Sequence, residues 1–116
     1  MATSRIQATT ATYTYVQAIN GITGGLRLYK DFKSKTVRAY GYFRRNTDIG
    51  FTTPIFNVPE EYRPQSNWEI PMMLSTDSVY GVGYKGIIES NGNISQLLGS
   101  SVREGFIAAE WSYDGR

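Results

Sequence analysis

The chain has 116 residues, with 12 Lys+Arg against 10 Asp+Glu and neither His nor Cys. That length suits one modest domain, and the missing residue types exclude disulfides, thiolate or imidazole metal sites, thiol nucleophiles and every histidine-based triad. A net charge of +2 is too small to mark a surface for nucleic acid or anionic lipid, and no apolar run approaches the roughly 20 residues of a membrane helix.

The first ten residues are polar, carry no apolar signal region and read as a join to something upstream. From Thr10 to Ile19 the chain is rich in β-formers and almost free of charge; Asn20-Gly21 and Gly24-Gly25 are turn signals. Leu26–Lys30 alternates cleanly, and the charged stretch from Asp31 to Lys35 reads as a hairpin loop. Thr36–Arg44 is the clearest strand. Its period of two puts Val37, Ala39, Gly41 and Phe43 on one face and Arg38, Tyr40, Tyr42 and Arg44 on the other.

The run from Phe51 to Val58 is broken at Pro54, which indicates an edge position or a bulge. Pro59–Pro64 is a proline-bracketed turn. Trp68, Ile70, Met72 and Leu74 share a face of the next strand, and Pro71 moves that strand towards an edge. Beyond a loop at Thr76–Ser78, Tyr80–Ser90 forms a strand that its glycines allow to bend. Asn91-Gly92 is the strongest hairpin signal, set between Ile87-Ile88 and the run Ile94–Leu98. Ser100–Glu104 allows one helical turn, and Gly105–Tyr113 is the closing strand. The expected fold is all-β: a small antiparallel β-barrel or sandwich of about seven or eight short strands.

Several pieces fall in a familiar order: Leu26–Lys30, Val37–Phe43, Ile55–Pro64, Gly83-Tyr84, Asn91–Ile94 and Gly105–Trp111. The most specific are the Val58-Pro59-Glu60-Glu61-Tyr62-Arg63-Pro64 corner and the later Asn91-Gly92-Asn93-Ile94 hairpin. From about Gly25 to Tyr113 the chain resembles the C-terminal head domain of receptor-binding proteins on baseplates of tailed phages that infect Gram-positive bacteria. The resemblance implies a β-barrel head over residues 25–116, with residues 1–24 a partly stranded segment leading from an upstream shoulder and neck. It also implies a homotrimer at the virion tail tip, joined to other baseplate proteins through those upstream segments. Its partner would be a host cell-surface glycan, held non-covalently, with no cofactor, no metal, no catalytic residue and no membrane insertion.

Sugar sites pair an aromatic face with amides or carboxylates that bond to hydroxyls. Candidates are Asn67, Trp68 and Glu69, then Tyr80, Trp111 beside Glu110, and Asp114 beside Tyr113. The alternation favours a core position for Trp68 and leaves Trp111 undecided between core and surface. Arg38 and Arg44 flank a tyrosine pair that a solvated face or a subunit contact explains first, with capture of an anion such as a phosphate as the functional alternative. Met72-Met73 reads as core filling. Asn93-Ile94-Ser95 matches a glycosylation sequon that has meaning only in a secretory context. Two rival functions are a polysaccharide-degrading tail enzyme, which needs a carboxyl pair, and a single-stranded nucleic-acid-binding barrel, which would use the Tyr and Arg residues.

Overall fold

The computed structural model describes residues 11–45, 52–75, 82–96 and 104–113. Its strands are β1 (Ala11–Gln17), β2 (Thr23–Asp31), β3 (Thr36–Arg44), β4 (Phe56–Asn57), β5 (Trp68–Ser75), β6 (Val82–Ile88), β7 (Asn93–Gln96) and β8 (Glu104–Ser112). All pair antiparallel in one sheet of order β1-β2-β3-β8-β5-β6-β7-β4. The two ends of the sheet approach where the Ile19 N–H donates to the Ile55 carbonyl at 2.9 Å, so the sheet nearly closes into a barrel. Near-closure hides most of the strand edges that an open sheet would leave unpaired.

Alternation decides which residues fill the interior. Leu26 and Leu28 of β2, Val37, Ala39 and Phe43 of β3, Ile70 and Met72 of β5, and Ile107 and Trp111 of β8 all point inward and are buried. β1 pairs with β2 along its whole length, so Ala11–Gln17 belongs to the sheet. Gly24-Gly25, expected as a turn, lies within β2, whereas the turns at Asn20-Gly21 and Asp31–Lys35 form with the chemistry their residues supply. At Asn20-Gly21 both residues take positive φ (60° and 78°) and the Ile22 N–H donates to the Ile19 carbonyl, a type I′ turn. In the β2–β3 loop the Asp31 carboxylate accepts from the N–H groups of Lys33 and Ser34. Those bonds, Lys33 first, hold its pKa below the ordinary aspartate value.

Pro71 does not place β5 at an edge, since β5 lies between β8 and β6. Pairing with β8 covers only Met72–Ser75, so the residue without an N–H falls just outside the doubly paired stretch. Pro54, by contrast, does precede a terminal strand, β4. The 3-10 turn described lies at Glu60–Tyr62, inside the proline-bracketed corner; of the 100–104 segment only Glu104 is described, and it opens β8.

The corner and the Asn-Gly hairpin, far apart in sequence, pack on each other. The Val58 N–H donates to the Gly92 carbonyl at 2.9 Å, and Arg63 Nε donates to the Val58 carbonyl at 2.7 Å. Arg63 Nη2 also reaches Asn57 Oδ1 at 3.2 Å, and Asn57 Nδ2 donates to Asn93 Oδ1 at 2.8 Å. Gly92 has a φ of +93°, and a Cβ there would lie 2.5 Å from both the Val58 carbonyl oxygen and Arg63 Nε. Glycine is therefore required twice over at this position. The Tyr62 carbonyl accepts from the buried Trp111 indole N–H at 2.7 Å, and its hydroxyl meets Thr12 Oγ1 at 3.1 Å. Buried Lys30 donates to the Glu61 carbonyl and lies 4.4 Å from the Tyr113 ring centroid, with Phe32 and Tyr62 also around its ammonium. These residues hold one end of the barrel together, a structural role.

Candidate functional site

The face of the sheet turned away from the core carries an unusual number of aromatic rings. Register sets them in rows across four strands. Tyr13, Tyr29, Arg38 and Glu110 form one row; Tyr15, Arg27, Tyr40 and Ala108 form the next; Gln17, Gly25, Tyr42 and Phe106 form a third. Met73 of β5 continues the third row beside Phe106. Tyr13 stacks against Tyr29 with ring centroids 5.1 Å apart, Tyr29 meets Tyr40 at 6.1 Å, and Tyr42 meets Phe106 at 5.2 Å. Tyr15 and Phe106 are 53% and 52% exposed, far more than rings that serve only to fill a core.

A groove of about 690 Å³ opens on this face between Tyr15, Arg27, Tyr40, Tyr42 and Phe106. Its floor is Gly25. A Cβ at that position would stand 1.9 Å from the Tyr15 hydroxyl oxygen, so the missing side chain is what lets the tyrosine ring lie across the backbone. A second, smaller hollow of about 350 Å³ lies beyond Tyr40, bordered by Arg38, Pro71, Ala108 and Glu110. Tyr40 borders both. Arg38 Nε and Glu110 Oε2 are 3.9 Å apart, close enough to attract but too far to share a hydrogen bond.

At the edge of the larger groove the Tyr42 hydroxyl donates to Glu104 Oε2 at 2.7 Å. That bond, reinforced by burial and by the carboxylate charge, raises the Tyr42 pKa above the ordinary tyrosine value. Because the folded pKa is raised, the associated stability is present below about pH 10 and is lost as the pH rises through the folded value. Ultraviolet titration of tyrosinate should show a late-ionising component that disappears in Tyr42→Phe. Its persistence in that variant would refute the assignment.

The residues singled out from sequence do not converge on one place. Asn67, Trp68 and Glu69 lie together at the start of β5; Asn67 Oδ1 accepts from the Ser90 N–H at 3.1 Å and Glu69 pairs with Lys85 at 3.2 Å. Trp68 keeps the inward parity of Ile70 and Met72, yet it is 40% exposed because it is the first residue of its strand, at the barrel end. Trp111 is corrected outright: at 1% exposure, with its N–H on the Tyr62 carbonyl, it offers no face to a ligand. Arg38 and Arg44 are both exposed on the outer face, but six residues of extended strand separate them by roughly 20 Å, too far to hold one phosphate. Tyr80 and Asp114 lie outside the described residues.

No protein-family model and no curated protein sequence matches the chain. Among the described residues no group of three His, Cys, Asp or Glu side chains is placed to hold a metal ion, and no helix is long and apolar enough to cross a membrane.

Sequence reasoning missed Tyr15, Arg27, Phe106 and the floor residue Gly25. A partial signal existed. Tyr13 and Tyr15 alternate in a strand nearly without charge, which leaves two rings on one face. What no single strand reveals is that β8 pairs with β3 and brings Phe106 beside Tyr42.

Proposed function

We propose that this chain is a non-enzymatic, saccharide-binding head of the kind that tips phage baseplate receptor-binding proteins, and that it adsorbs to host cell-wall glycan through the outer aromatic groove. The observation that carries this reading is the groove: exposed Tyr15, Tyr40 and Phe106 rings for the apolar faces of sugar rings, with Arg27 and tyrosine hydroxyls to meet hydroxyl groups. A homotrimer on the virion tail tip follows from the same reading. Three linked copies would raise the avidity of a shallow site without new contacts.

Binding to polysaccharide purified from Gram-positive cell walls tests it. Tyr15→Ala and Tyr40→Ala should each weaken binding about tenfold, the equivalent of roughly 1.4 kcal/mol, with the fold intact. Loss in Trp68→Ala instead would move the site to the start of β5, and absence of any binding would sink the reading. Tyrosines interspersed with arginines also favour a second reading, stacking of single-stranded nucleic acid. Glu104 and Glu110 on the same face weigh against it. Oligonucleotide binding that falls steeply with salt would reverse that preference.

A further inference from the structure

We infer that the outer face holds an extended glycan segment across two adjoining subsites, with Tyr40 as the platform they share. The inference rests on the saccharide-binding reading and specifies its ligand: a chain of several sugar units in preference to a single terminal sugar.

Three observations carry it. The two hollows adjoin on one continuous face, and Tyr40 lines both, so a ligand leaving one passes over the same ring into the other. Their chemistry differs in a way that suits successive units. The larger is walled by Tyr15, Tyr42 and Phe106, whereas the smaller offers Pro71 and Ala108 as an apolar base beside the Arg38 and Glu110 head groups. Those head groups, 3.9 Å apart, present a donor and an acceptor side by side, which matches neighbouring hydroxyls on a neutral sugar better than it matches an anion. Finally, the span is long. From β1 to β5 the face crosses four strand spacings, roughly 19 Å, which exceeds the width of one sugar ring.

The test uses the full chain and acid-hydrolysed Gram-positive cell-wall polysaccharide, fractionated by size from monosaccharide to hexasaccharide. Affinity should rise about tenfold or more between the monosaccharide and the longer fractions. Arg38→Ala should flatten that rise, weakening the longer fractions about tenfold and the monosaccharide least. Gly25→Ala should weaken every fraction, because the new Cβ displaces the Tyr15 ring without removing it. Binding that is equal for all sizes, or an Arg38→Ala variant that keeps the length dependence, would overturn the two-subsite inference and leave the saccharide reading standing. Failure of every fraction to bind would overturn both. If Tyr15→Ala or Tyr40→Ala changes the sedimentation mass of the chain, the face is a contact between copies and the inference is overturned.

Discussion

Trp111→Ala is expected to destabilise the domain by about 3–5 kcal/mol, a large share of the roughly 5–15 kcal/mol that folded domains possess. The indole is the largest side chain in the core and is almost completely enclosed. Its removal leaves a cavity that neighbouring strands, fixed in register on both sides of β3 and β8, can fill only in part. It also strips the Tyr62 carbonyl of its 2.7 Å donor, at the point where the proline-bracketed corner joins β8. Trp111→Phe separates the two effects, because it keeps much of the volume and removes only the donor; a loss of about 1–3 kcal/mol is expected there. Urea unfolding monitored by tyrosine fluorescence and far-ultraviolet circular dichroism would check both. A midpoint in Trp111→Ala close to that of the parent chain would refute the placement of this residue at the centre of the core.

Gly24→Ala should be nearly as damaging, by about 2–5 kcal/mol, while the same change at the next residue should be mild. Gly24 has a φ of +146°, which a residue with a Cβ rarely adopts, and the new atom would stand 2.1 Å from the Tyr42 carbonyl oxygen and 2.8 Å from Phe43 Cα. Both obstacles are backbone of the paired strand β3 and have no room to retreat without breaking the ladder. Backbone strain and overpacking each contribute roughly 1–3 kcal/mol at such a site. At Gly25 the obstacle is the exposed Tyr15 ring, which can swing into solvent, so Gly25→Ala should cost less than about 1 kcal/mol. Thermal unfolding of the two variants side by side gives the comparison: a fall in Tm of roughly 10 °C or more for Gly24→Ala, and a few degrees at most for Gly25→Ala. Equal losses would contradict the geometry.

These adjacent glycines show how far the amino-acid order carries. As a pair they read as a turn signal, yet both lie within β2. Glycine's tolerance of unusual backbone angles is visible in any sequence; whether a glycine serves a turn or the close approach of a neighbouring strand depends on what pairs with it. The tryptophans teach the same lesson. Shared parity with Ile70 and Met72 pointed Trp68 inward, and it does have that parity, but position at the end of a strand leaves its ring partly in solvent. Trp111, undecided from its neighbours alone, is buried because the corner folds over it and supplies an acceptor for its N–H.

Composition and period-two alternation were enough to indicate an all-β domain of about seven or eight strands, the turns at Asn20-Gly21, Asp31–Lys35 and Asn91-Gly92, and the inward face of β3. They suffice because side chains alternate across a strand whatever its neighbours are, and because Asn-Gly and proline set backbone angles locally. Absence of His and Cys likewise needed no structure to narrow the chemistry. The groove is a different kind of fact. Tyr15, Arg27, Tyr40 and Phe106 come from four strands, and only the order β1-β2-β3-β8 and its register bring their outward faces together over Gly25. Strand order is set by long-range pairing that encloses the core, a property of the whole chain that no local run of residues encodes.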